Sequence, residues 1–104
     1  MIKVTYETVN SQITSLEVKG HAQSAEAGED LVCSAVSAVT FGGLNALRNS
    51  SKTLIIKVEE GYVSIAKSGA VLREDGIVLK TMITQLETIA RDYSKYVKIT
   101  RKEM

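Results

Sequence analysis

The amino-acid sequence predicts an α+β domain in which two helices pack on one face of a five-stranded mixed or antiparallel sheet. Five segments alternate apolar and polar residues, which is the period of a half-buried strand. Two other segments are typical of helices, one by its long apolar run and one by apolar residues at steps of three and four. The predicted order is ββαββαβ, and a length of 104 residues favours one domain spanning residues 1–104.

The N-terminal part is predicted as a β-hairpin, a loop and a helix. Apolar residues alternate with polar ones on both sides of the turn-prone pair Asn10-Ser11. Small and polar residues from Gly20 to Asp30 indicate a loop. Asp30 then stands in the place of a helix N-cap, so the first helix is predicted from about Leu31 to Arg48.

The C-terminal part is predicted as a second hairpin, a second helix and a last strand. Thr53–Glu59 and Tyr62–Lys67 are β-branched runs separated by Glu60-Gly61, which is typical of a hairpin. Apolar residues from Leu79 to Tyr93 recur at steps of three and four, and Tyr96–Arg101 alternates again.

The first helix is apolar on nearly all sides. Its large apolar residues cannot all lie on one stripe about 100° wide; they are Leu31, Val32, Val36, Val39, Phe41, Leu44 and Leu47. We expect a homodimer that covers the second side of this helix, and the alternative is complete burial within the monomer.

Composition and charge exclude several classes of protein. Thirteen Lys and Arg against twelve Asp and Glu give a net charge of +1, so no direct nucleic-acid binding and no membrane partner are expected. One Cys and one His exclude an internal disulfide and a Cys/His zinc site built from this chain alone, and we expect no cofactor. The first residues lack the basic start and apolar stretch of a secretory signal, so a cytoplasmic location is expected.

The chemistry-bearing residues are Cys33 and His21. In the predicted first helical turn, unpaired backbone N–H groups and the positive dipole end would stabilise negative charge on the Cys33 sulfur and on an oxyanion. His21 follows the second strand, and the excursion of twelve residues to Cys33 could bring imidazole and sulfur together as a nucleophilic pair. The alternative is a buried structural cysteine and a structural histidine.

Two neighbouring residues could support this pair. Asp30 could cap the helix, orient the imidazole, or do both. Ser37 lies one helical turn after Cys33 on the same face, and its hydroxyl could bond the sulfur or only the preceding backbone turn.

The connecting loop, residues 22–29, is a candidate substrate loop. Gly20 and Gly28 would supply backbone freedom near its ends, and small residues such as Ala22 would leave space beside Cys33 for peptide side chains. A lid that closes over bound peptide and an ordinary connection are both compatible with this composition.

These residues also carry a family resemblance. Gly20-His21-Ala22 and, after five further residues, Gly28-Glu29-Asp30-Leu31-Val32-Cys33-Ser34-Ala35-Val36-Ser37 resemble the signature of the ribosomal-processing cysteine proteases of Firmicutes and relatives. Phe41-Gly42, Asn45-Ala46 and the segment from Leu79 to Tyr93 are also similar, so nearly the whole chain is covered.

The resemblance implies a small homodimeric cysteine endopeptidase. Its implied substrate is the precursor of the large-subunit ribosomal protein numbered twenty-seven, from which it removes a short N-terminal extension. The resemblance assigns His21 as the base and Cys33 as the nucleophile. The alternative is a noncatalytic ribosome-associated peptide-binding module in which Cys33 is only part of the core.

Overall fold

The computed structural model describes residues 1–20, 27–48 and 52–104, with the backbone alone described for 27–30. The elements follow the predicted order ββαββαβ. The strands are β1 Ile2–Val9, β2 Gln12–Lys19, β3 Leu54–Glu59, β4 Tyr62–Lys67 and β5 Val97–Glu103, and the helices are α1 Ala27–Ala46 and α2 Arg73–Asp92.

The strands form one five-stranded sheet in the order β3-β4-β2-β1-β5. The pairs β1–β2, β2–β4 and β3–β4 are antiparallel, whereas β1 and β5 are parallel, so the sheet is mixed as predicted. This order leaves β3 and β5 as the two edge strands.

The core lies between one face of the sheet and the two helices. Along β1, Ile2, Val4 and Tyr6 are buried, while Lys3 points to solvent. Fully buried residues from both layers meet in this core; they are Leu16, Ile65, Leu79, Met82 and Leu86 among others. The predicted alternation in the strands and the predicted apolar stripe of α2 are therefore confirmed.

The two helices approach closely at one glycine. A Cβ atom built on Gly43 would lie 2.3 Å from Sδ of Met82, so α1 presents bare backbone where the Met82 side chain packs. Met82 is only 2% exposed, so its side chain fills the space that this glycine leaves. The contact fixes how α1 lies beside α2.

The start of α1 differs from the prediction. The helix begins at Ala27, four residues before Leu31, so Asp30 is its fourth residue and cannot be its N-cap. Cys33 is the seventh residue, in the second turn rather than the first. The segment 27–30 lacks the large apolar residues that reveal a helical period, yet Ala27 favours helix and Glu29 suits the positive end of the dipole.

Part of the apolar surface of α1 is left uncovered within the chain. Val32 and Val36 are buried, but Leu31 is 66% exposed and Phe41 is 44% exposed. Complete burial of this helix within the monomer is therefore wrong for these two residues. None of the helices among the described residues has both the length and the apolar character that a membrane span requires.

Candidate active site

A cleft of about 120 Å³ lies between α1 and the sheet, at the end where β2 ends and β3 turns into β4. One wall is a single face of α1, whose lining residues fall at steps of three and four; they are Cys33, Val36, Ser37, Thr40 and Phe41. The opposite wall includes three apolar residues from neighbouring strands, which are Ile2, Val18 and Val63.

Cys33, the sole cysteine of the chain, is a free thiol on the helical wall of this cleft. Its side chain is half-buried and packs against the edge of the hydrophobic core. A thiol in this position faces apolar walls, so an extended peptide could place an apolar side chain in the cleft and a carbonyl group beside the sulfur.

The predicted help from the helix N-terminus does not reach Cys33. The residue lies six positions after Ala27, which is about 9 Å along the axis at 1.5 Å per residue. In the second turn a backbone N–H is bonded to the carbonyl four residues earlier, so it is not an unpaired donor. The expectation that the first-turn N–H groups stabilise the sulfur or an oxyanion at this residue is therefore wrong.

Ser37 lines the same cleft as Cys33, one helical turn further along α1. The predicted placement of both residues on one face of the helix is confirmed. Both side chains therefore line one wall of the cleft.

Gly20 directly follows β2 and lies at the rim of the cleft. Its φ is +101°, and a Cβ atom there would lie 2.5 Å from the carbonyl oxygen of Met1. Its N–H donates a hydrogen bond of 2.9 Å to the carbonyl oxygen of Gly61, in the turn between β3 and β4. The backbone role predicted for Gly20 is confirmed, because a side chain at this position would be both strained and blocked.

The other predicted site residues have different outcomes. His21 and Ala22 lie outside the described residues. Gly28 is the second residue of α1 and not part of the predicted loop. Its placement in a regular helix means that the left-handed backbone freedom of glycine is not required there.

Sequence reasoning did not place Thr40, Phe41, Glu59 or Tyr62 at the cleft, although all of them line it. The first two follow Cys33 by seven and eight residues, a helical spacing that could have revealed them. Glu59 and Tyr62 reach the cleft only because β4 pairs with β2, which no local pattern predicts. The Tyr62 hydroxyl donates a hydrogen bond of 3.2 Å to the carboxylate of Glu17, which holds the ring at the rim.

Thr40 places a buried hydroxyl on the helical wall. The residue is 2% exposed, and its Oγ1 has no hydrogen-bond partner among the described residues. In α2, by contrast, the hydroxyls of Thr81 and Thr84 each donate to the carbonyl four residues earlier. Thr40 therefore carries the cost of a buried polar atom without a hydrogen-bond partner among the described residues.

Comparison with known proteins identifies the family. The family model described as Cysteine protease Prp matches residues 1–98. Ribosomal processing cysteine protease Prp of Bacillus subtilis (strain 168) is 35% identical, and the match covers 96% of this chain and 96% of the relative. The protein of that name from Staphylococcus aureus (strain Mu50 / ATCC 700699) is 32% identical. That match covers 91% of this chain and 94% of the S. aureus protein.

Solved structures share the fold. The crystal structure of SMU.848 from Streptococcus mutans matches this chain with a TM-score of 0.87 at 25% identity. The match covers 100% of this chain and 96% of the S. mutans chain. The ribosomal processing protease Prp from S. aureus, in complex with a covalently linked product peptide, has a TM-score of 0.84 at 30% identity. This match covers 98% of this chain and 100% of the S. aureus chain.

The fold, the cysteine in the cleft and these matches together define a cysteine protease. The chain belongs to the Cysteine protease Prp family. The resemblance noted in the sequence is thereby confirmed, and the alternative of a noncatalytic binding module is not supported.

Proposed function

We propose that this protease removes the N-terminal extension of the large-subunit ribosomal protein numbered twenty-seven by a Cys–His mechanism in the cytoplasm. The observation that carries the proposal is the position of the sole cysteine of the chain, on the wall of an apolar cleft. The relatives named for ribosomal processing support the substrate class. The S. aureus relative has been solved both with a substrate peptide and with a covalently linked product peptide, which supports a peptide substrate for this chain.

The proposed reaction is acyl transfer to sulfur followed by hydrolysis. His21 accepts the thiol proton of Cys33 while the sulfur attacks the scissile carbonyl carbon and forms a tetrahedral intermediate. The C–N bond then breaks, and the imidazolium gives its proton to the leaving amine. Water, deprotonated by the same imidazole, hydrolyses the thioester and regenerates the thiol.

Asp30 and Ser37 support this chemistry in the proposal. Asp30 precedes Cys33 by three residues within α1, a spacing at which two residues are neighbours on a helix surface. Because Asp30 is not the N-cap, its proposed role is to orient the His21 imidazole. Ser37, in the cleft, is proposed to bond the reacting group or the sulfur.

A homodimer that uses α1 is part of the proposal. Leu31, which is 66% exposed, presents apolar surface on the same helix that carries Cys33. Covering this surface with a second copy removes apolar area from water and stabilises the assembly.

The test is cleavage of the purified ribosomal protein precursor, followed by mass spectrometry. Cys33→Ala and His21→Ala should each lower kcat/KM by about a thousandfold or more, because each removes a group that takes part in the bond-breaking steps. The matched control is Ser34→Ala, since Ser34 is exposed and does not line the cleft. Circular dichroism should show the native spectrum for all three variants.

Two results would contradict the proposal. If Cys33→Ala still cuts the precursor, the nucleophile is misassigned. If the wild-type protein cuts other peptides but leaves the precursor intact, the ribosomal substrate is wrong while the protease assignment stands.

A further inference from the structure

The edge strand β3 has one row of backbone groups that no strand of the described chain pairs. The Ser68 N–H donates a hydrogen bond of 2.9 Å to the carbonyl oxygen of Thr53, which extends the β3–β4 ladder by one pair. In an antiparallel pair the bonded residues alternate, so the backbone groups of Ile55 bond to β4 and those of Leu54 point the other way. By the same alternation, the N–H and C=O groups of Leu54, Ile56 and Val58 point to the free edge.

The charged residues of this strand, Lys57 and Glu59, stand at positions whose backbone groups bond to β4, whereas the residues whose backbone groups point to the free edge are apolar. The strand contains no proline, and Val58 next to its end is 52% exposed. Native sheets normally protect such edges with charges, prolines or bulges. The outward row of Leu54, Ile56 and Val58 contains no charge and no proline, so it can receive an additional strand.

An apolar strip connects this edge to the cleft that contains Cys33. Val58 pairs in register with Val63, and Val63 lines the cleft together with Phe41. Glu59, the last residue of β3, also lines the cleft. A chain that runs along the free edge of β3 towards its C-terminal end therefore arrives beside the cleft that contains Cys33.

We propose that the free edge of β3 receives the substrate as an added strand, an inference that rests on the proposed function. The outward backbone groups of Leu54, Ile56 and Val58 bond to the main chain of the peptide, and its apolar side chains lie on the strip formed by Val58, Val63 and Phe41. Six residues of β3 span about 20 Å at 3.3 Å per residue, so the edge can pair a segment of similar length.

The occupant is the substrate because the edge is continuous with the catalytic cleft. A peptide must be extended to place a carbonyl group at a thiol inside a narrow cleft, and an extended peptide has the unpaired backbone groups that this edge offers. Main-chain pairing also sets the register of the peptide, which determines the bond that reaches Cys33. A second copy of this chain pairing through β3 is the competing occupant, and the test distinguishes the two.

The direct test is a scan of N-methyl amides through a synthetic peptide that covers the extension and the first residues of the mature ribosomal protein. Each N-methyl group removes one donor and blocks one side of the peptide backbone. Strand addition predicts a period of two, in which KM rises at least tenfold at every second position and less than threefold between them. An effect without this period, or no effect at any position, would overturn the inference.

The matching test substitutes residues of the protein, one in the apolar strip beside the cleft and one at the free edge of β3. Val58→Ala should raise KM about threefold or more with kcat within twofold, whereas Ile77→Ala, which truncates a 57% exposed side chain on α2, should change neither. Ile56→Pro removes an outward N–H without removing a bond to β4, so it should raise KM at least tenfold. Should Ile56→Pro fail to fold, the peptide scan still decides.

The remaining outcomes separate the two proposals. If Val58→Asp converts a dimer to a monomer and the scan shows no period, the edge binds a second copy and the inference is wrong. If the unmodified peptide is not cut at all, the proposed function fails and the inference fails with it. Cleavage without periodicity overturns the inference alone.

Discussion

Two adjacent glycines of α1 offer a matched test of how the helices pack. Among the described residues, a Cβ atom on Gly42 would meet no atom within 4 Å, whereas one on Gly43 would lie 2.3, 2.4 and 2.7 Å from Sδ, Cγ and Cε of Met82. Replacing either glycine with alanine raises helix propensity by about 1 kcal/mol. Only the substitution at Gly43 also forces Met82 to move.

The magnitude follows from these two effects. Met82 is 2% exposed, so it cannot swing into solvent, and overpacking of such a site costs about 1–3 kcal/mol. Gly42→Ala should raise the free energy of unfolding by about 0.5–1 kcal/mol. Gly43→Ala should leave it unchanged or lower it by up to about 2 kcal/mol, because the propensity gain offsets part of the strain.

The assay is urea unfolding followed by circular dichroism, with thermal unfolding as a second measurement. The two variants should differ by about 1–3 kcal/mol, and each 1 kcal/mol corresponds to about 4–8 °C in Tm for a domain of about 100 residues. Met82→Ala should cost less in the Gly43→Ala background than in the wild type, since it removes the atoms that collide. Equal effects of the two glycine substitutions would refute the close approach of α1 to Met82.

One further prediction concerns the hydrogen bond that links the end of α1 to α2, and another concerns the dimer. Asp75 is fully buried, and its Oδ1 accepts a hydrogen bond of 2.7 Å from the N–H of Arg48, so Asp75→Ala should lower the free energy of unfolding by about 1–3 kcal/mol. Urea unfolding checks this against Glu74→Ala, which breaks an exposed ion pair and should cost less than about 0.5 kcal/mol; equal losses would contradict it. For the assembly, light scattering should find a wild-type dimer and a folded Leu31→Asp monomer, and a wild-type monomer at micromolar concentration would contradict the proposed interface.

Local patterns in the sequence were enough for the type and order of the elements. Strand alternation and helical spacing depend on residues two to four positions apart, so they can be read without knowing the fold. The hairpin Thr53–Glu59 and Tyr62–Lys67 was predicted almost to the residue, because β-branched runs flank a two-residue turn. The start of α1 was missed because residues 27–30 show no apolar period and include Gly28, a poor helix former.

The sequence by itself also determined the class of protein. The segment from Gly20 to Ser37 carries the signature of the family to which the chain belongs. Cys33 and Ser37 could be placed on one face of a helix because they are four residues apart in a single element. The helical wall of the cleft was therefore accessible to sequence reasoning.

Only the tertiary structure decided what lies opposite that wall. The order β3-β4-β2-β1-β5 brings the turn between β3 and β4 beside Gly20 and leaves β3 as a free edge leading to the cleft. Strand order depends on which arrangement of the five strands buries the most apolar surface under both helices. The buried area of each arrangement includes residues that are far apart in the chain. Glu59 and Tyr62 join the site for this reason, and no pattern within either strand contains that information.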